Sequence, residues 1–155
     1  MALDTHEHTL ASIDAVTREE RDSQRAMQRV VEILKREATH YTWVGIYLLE
    51  GNELVLGPFL GKPSPHTRIP IGNGICGAAA RERATIVVDD VNRDSRYLAC
   101  SLETKSEIVV PIMSGERVLG EIDIDSDRPS AFGPEDKRLL ESVASLLAVV
   151  LETSG

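Results

Sequence analysis

"SEIVVPIMSGERVLGEIDIDSD", residues 106–127, holds two β-rich runs about a Ser-Gly-Glu break. Short apolar runs meeting at a glycine turn read as a hairpin, and a hairpin makes the sheet antiparallel. In the second run side chains alternate between faces at period two. Val118, Gly120, Ile122 and Ile124 then share one face, and Leu119, Glu121, Asp123 and Asp125 share the other. Acids are depleted in strands, and same-face neighbours stand only about 7 Å apart. The acid face is therefore either wet or meets something cationic. Glu107 interrupts the first run, and two adjacent strands aiming acids into one region would suit an ammonium group or a metal.

Working outward, "TWVGIYLLE" (42–50) and "ELVLGPFL" (53–60) form a second hairpin about Gly51-Asn52. Residues 12–38 read as one helix, with Thr17 and Glu20 as a capping box and Met27, Val30, Val31 and Leu34 at helical spacing. Pro134 opens a helix with Glu135 and Asp136 in its first turn and an apolar stripe from Leu139 to Val150. "ICGAAARER" (75–83) reads as a short helix, "TIVVDDV" (85–91) begins as a strand, and long loops fill much of 60–105. The fold class is α+β: an antiparallel sheet flanked by helices, in a single domain over 1–155 whose first 11 residues, with His6 and His8, fray.

The 155 residues suffice for one core, and 42% hydrophobic with 27% charged is a globular mix rather than a disordered one. A formal net charge of −8 without a basic run argues against nucleic acid. The longest apolar run, "LLAVVL" at 146–151, is far short of a membrane span, and the start lacks a basic flank and an apolar signal core. Cytoplasm is the expected compartment, where two cysteines suggest redox chemistry or metal rather than a scaffold.

Cys76 sits in "GNGICG" directly before a helix, where unpaired N–H groups and the dipole favour thiolate; the alternative is a small buried residue packing the helix. Cys100 lies in the polar loop "SRYLACSLETKSE", exposed and reactive, or tucked beside Tyr97 and Leu98. No Cys-x-x-Cys exists and the four histidines make no ligand spacing, so no metal or cofactor is expected. No serine elbow, phosphate loop or histidine triad is present. Trp43, the single tryptophan, stands in a strand four residues before Tyr47, and core packing is its plain reading.

These residues stand in a pattern that resembles the GAF-domain enzymes that reduce free methionine (R)-sulfoxide. The carriers, from Tyr41 to Leu147, are "YTWVGIYLL", "LVLGPFLGK", "TRIPIGNGICG", "VVDDV", "LACSLETKSEIVVPI" and "GEIDIDSDRPSAFGPED". The resemblance implies a sheet of about six antiparallel strands between helices, and a homodimer. It implies that Cys100 is the catalytic cysteine and Cys76 a resolving one. Glu107, Asp123 and Asp125 match the substrate-pocket carboxylates, Trp43 the tryptophan against the substrate's methyl group, and Tyr47 the tyrosine near it. Thioredoxin is the implied reductant. The family's third cysteine, ten residues before the one in G-x-C-G, is here His66, and the residue after the catalytic cysteine is Ser101 where aspartate is common. The rival reading is a GAF module that senses a small ligand or redox state without turnover.

Overall fold

The computed structural model describes residues 2–97 and 103–153. Two helices, α1 (Ala2–Glu19) and α2 (Ser23–Glu37), precede the first hairpin of β1 (Trp43–Glu50) and β2 (Glu53–Leu60). Its turn is Gly51-Asn52, with Gly51 at φ 62°, a conformation that costs glycine nothing. β3 (Arg68–Pro70), α3 (Gly74–Glu82) and β4 (Ile86–Val88) follow, then β5 (Ser106–Ser114), β6 (Arg117–Ser126) and α4 (Pro134–Thr153). The six strands form one antiparallel sheet in the order β3-β2-β1-β6-β5-β4. The hairpin at 106–127 thus supplies a central strand, β6, that joins the two halves of the sheet.

Alternation sorts the side chains into two cores. Val44, Ile46, Ile108, Val110, Ile122 and Ile124 face α1, α2 and α4, packing with Met27, Val30, Leu34, Leu140, Val143 and Leu147. Each such side chain, once buried, stabilises the fold by about 1.5–3 kcal/mol before entropy is set against it. The opposite face carries Trp43, Tyr47 and Val109, covered by Cys76 and Ala79 of α3.

Two local departures from the sequence expectations have physical causes. Helix 12–38 is broken: Asp22, at φ −82° and ψ 117°, caps α2 by accepting from the Arg25 N–H at 3.1 Å, while Thr17 donates to the Asp14 carbonyl instead of closing a capping box. An N-cap aspartate satisfies orphan donors that a continuous helix would not have. Residues 2–11, within the segment expected to fray, lie in α1, where Thr9, Ile13 and Val16 are buried at helical spacing against neighbouring helices.

In β6 the strict alternation fails at one place. Ile112 pairs with Gly120 and Met113 with Val118, so Leu119 is a bulge. Val118 consequently joins the acid-side core and Leu119 packs against the helix-side core, the reverse of their expected faces. Beyond the bulge the alternation holds and carries the acids.

Candidate functional site

β6 places Glu121, Asp123 and Asp125 on one face, and β5 adds Glu107, paired across the strands with Asp125. These four side chains are 0%, 3%, 5% and 5% exposed, so the wet-face reading of the acids is excluded. On the other flank β1 pairs Trp43 with Asp125, Gly45 with Asp123 and Tyr47 with Glu121. The W-x-G-x-Y spacing is therefore the strand-for-strand complement of the alternating acids. Gly45 leaves room that the indole fills: a Cβ there would meet Trp43 Cη2 and lie 2.6 Å from Cζ3. The indole also stacks on Phe59, with centroids 5.7 Å apart and planes at 20°, and donates from Nε1 to the Lys62 carbonyl at 2.9 Å.

Gly45→Ala is expected to push the indole out of this slot. The outcome to check is a shifted tryptophan emission, since the indole moves and the acids stay. An unaltered spectrum would show that the indole has another resting place.

α3 closes the acid face with Cys76, which is buried. Its Sγ, a Glu107 oxygen and an Asp123 oxygen all lie within 4.8 Å of one another. Glu107 is hydrogen-bonded to both Asp123 and Asp125, and Asp123 to the Cys76 thiol. Two carboxyl groups that hydrogen-bond share a proton, because an ionised carboxylate only accepts. The three atoms are close enough to hold a cation or to share protons among themselves. Both oxygens of Glu121, Oδ1 of Asp123 and Oδ1 of Asp125 accept no hydrogen bond.

Burial raises the pKa of Glu121, Asp123 and Asp125, and the neighbouring Asp123 charge raises the first and last further. Hydrogen bonding from Glu107 to Asp123 and Asp125, and from Cys76 to Asp123, offsets only part of this. The Cys76 thiol is also driven well up, first by burial and then by Asp123, Glu121 and Glu107. Of the two readings of Cys76, this favours the buried thiol over a thiolate at the helix N-terminus. A dipole worth about 0.3–1 kcal/mol cannot outweigh a dry site crowded with acids.

A cavity of about 500 Å³ opens over this face, lined among others by Trp43, Tyr47, Lys62, Glu103, Asp123 and Asp125. Tyr47 donates its hydroxyl to the His66 carbonyl at 2.8 Å, a backbone contact that any residue at 66 supplies. Lys62 and Glu103, which sequence reasoning passed over, pair at 2.8 Å across the mouth. Both are more than half exposed, so the pair is worth little in stability. Of the expected site residues, Trp43, Tyr47, Asp123 and Asp125 line the cavity, while Glu107 and Cys76 adjoin its acid floor. Cys100 lies outside the described residues, as does Ser101.

The GAF domain family matches residues 22–151. GAF domain-containing protein A of Dictyostelium discoideum is 37% identical over 92% of this chain and 89% of its own length. The free methionine-R-sulfoxide reductase of Escherichia coli is 38% identical over 79% of this chain and 73% of its own. The free methionine-R-sulfoxide reductase of Neisseria meningitidis, solved in complex with its substrate, superposes with a TM-score of 0.92 at 36% identity, covering 96% of this chain and 89% of that one. With its antiparallel sheet, walled acid face and capping cysteine, the chain belongs to the GAF-domain family of free methionine-R-sulfoxide reductases.

Proposed function

We propose that this protein reduces free methionine (R)-sulfoxide to methionine by a thiol mechanism. The observation that carries the reading is the buried acid cluster walled by Trp43 and Tyr47 beside a cysteine. A sulfoxide sulfur becomes electrophilic once its oxygen is protonated or strongly hydrogen-bonded. A carboxylic acid held protonated by burial and by other acids is suited to that task near neutrality. Either Glu107 or Asp125 polarises the oxygen, and the remaining acids hold the substrate's ammonium group. The Cys100 thiolate attacks sulfur to form an S–S bond as the acid protonates the oxygen. That oxygen passes to the Cys100 sulfur as the S–O and new S–S bonds break, so methionine leaves and Cys100 is left as a sulfenic acid. The Cys76 thiol condenses with that sulfenic acid, forming a disulfide and releasing water. An external dithiol, thioredoxin, returns both cysteines to thiols and is itself oxidised. Trp43 and Tyr47 wall the methyl end of the substrate.

The reading includes a homodimer in the cytoplasm, working without metal or cofactor, and takes its support from the family resemblance. None of the described helices is long and apolar enough to cross a membrane. With His66 in the place of a third thiol, resolution falls to Cys76 alone.

The test is turnover of the free (R) epimer with thioredoxin, beside the (S) epimer, N-acetylmethionine sulfoxide and the Cys100→Ser variant. Turnover confined to the free (R) epimer and abolished in Cys100→Ser is expected. N-acetylation removes the positive charge that the acids meet, so that substrate is refused. Saturable binding without turnover would instead favour a ligand-sensing module.

A further inference from the structure

The side chains that meet where α3 closes the acid face are also a set of metal donors. Cys76 comes from α3, Glu107 from β5 and Asp123 from β6, and the sulfur and one carboxyl oxygen of each acid lie within 4.8 Å of one another. All three side chains are at least nine-tenths buried, so water does not hold these acids apart. Unsatisfied oxygen is the second observation. Asp123, a member of the set, keeps an Oδ1 that accepts no hydrogen bond. On the same face of β6, Oδ1 of Asp125 and both oxygens of Glu121 accept none either. A buried polar atom without a partner costs about 1–3 kcal/mol, and more when charged. A cation bound among them removes that cost.

An ammonium group is one such cation, but it makes no use of the sulfur. A thiolate beside two carboxylates suits a borderline-soft divalent ion such as Zn²⁺, whereas Mg²⁺ and Ca²⁺ take oxygen donors alone. Tetrahedral Zn²⁺ sets its ligand atoms roughly 3.5 Å apart, so small side-chain shifts close this set around it. Each donor comes from a different element, which is why no spacing along the chain reveals the site. We propose that Cys76, Glu107 and Asp123 bind a thiophilic divalent cation of the Zn²⁺ class, which enters through the substrate cavity and takes no part in turnover. The cavity reaches the site at Asp123, which lines both. Binding sends the thiol proton and any carboxyl protons of the three ligands to solvent and leaves a fourth position for water. The metal keeps its oxidation state throughout. The consequence for catalysis rests on the proposed function: the ion holds the resolving thiol and two pocket acids at once. Metal and substrate then exclude each other, and the metal-bound protein is an inhibited form.

The experiment titrates the reduced, chelator-treated full chain with Co²⁺, whose thiolate charge-transfer absorption in the near ultraviolet reports a metal–sulfur bond. One Co²⁺ per chain with that band is expected, displaced by one equivalent of Zn²⁺ and not by excess Ca²⁺. Cys76→Ala should abolish the band. Asp123→Asn should weaken Co²⁺ binding by about 10²-fold, the upper range for losing even an outer-shell partner. Cys100→Ser should keep the band, since that sulfur is not in the set. Should Cys76→Ala fail to fold by circular dichroism, alkylation of the wild type mapped by mass spectrometry makes the same decision: bound Zn²⁺ should protect Cys76. Absence of the band in the wild type, its survival in folded Cys76→Ala, its loss in folded Cys100→Ser, or displacement by Ca²⁺ would overturn the inference. So would alkylation of Cys76 at an unchanged rate with Zn²⁺. Turnover is read separately, with and without one equivalent of Zn²⁺, and should be lost with the ion and restored by a chelator. Absence of turnover in the metal-free protein would overturn the functional reading and leave the cobalt band, and so the site, standing. Turnover unchanged with Zn²⁺ bound would overturn the inhibition.

Discussion

Asp125→Asn is expected to lower kcat/KM for free methionine (R)-sulfoxide by about 10²–10⁴-fold, the worth of a positioned general acid. Asparagine keeps the shape and one donor, and it cannot transfer a proton to the sulfoxide oxygen. Because Asp125 and Glu107 are hydrogen-bonded, Glu107→Gln should fall in the same range. In the wild type, activity that needs the protonated acid is lost as pH rises through the folded-state value, which burial and Asp123 set well above the usual 3.8.

Stability should move the other way. Above the ordinary aspartate value the unfolded chain has released this proton while the native chain still holds it. The unfolded state then binds fewer protons, so ionisation erodes native stability as pH climbs toward the folded value. Asparagine has no such proton to lose. Its Tm should match the wild type at pH below the ordinary aspartate value and exceed it at alkaline pH. A variant that is less active and more stable identifies Asp125 as a group held for chemistry at the expense of the fold. A variant that keeps its activity and melts earlier at alkaline pH would mean that Asp125 is ionised in the native state against a cation.

Cys76→Ser is expected to release one methionine per chain and then stop. The Cys100 sulfenic acid has no thiol partner in that variant, so thioredoxin-supported turnover falls to background while a dimedone adduct accumulates on Cys100. Dithiothreitol, small enough to enter the cavity, should restore part of the rate. The distinguishing measurement is the burst: about one equivalent of methionine with no second phase, against sustained release in the wild type. Sustained thioredoxin turnover in Cys76→Ser would make Cys76 a packing residue under α3. That was the plainer reading of a cysteine among alanines, and its near-complete burial suits it.

Much of this molecule is legible in the chain itself. Both hairpins follow from β-rich runs about glycine turns, and they dictate antiparallel pairing without reference to anything distant. The stripe on α4 and the apolar set on α2 follow from helical spacing, which is a local property. The W-x-G-x-Y and D-x-D spacings hold the site in period-two form, and their residues stand directly opposite one another on β1 and β6.

What the chain alone did not decide were quantities set by segments far apart in sequence. Alternation assigns Glu121, Asp123 and Asp125 to a face, and only α3, some forty residues earlier, makes that face dry. The state of Cys76 illustrates the same limit. Its neighbours in sequence are helix N–H groups that favour thiolate, whereas its neighbours in space are three acids that hold the proton on. The break before Asp22 and the bulge at Leu119 escaped a periodic reading because each interrupts a period rather than continuing it. Hydrogen bonding and side-chain alternation act between near neighbours, so the sequence determines the elements and the face each acid takes. Burial and charge act through space, so only the tertiary structure decides which of those acids keep their protons.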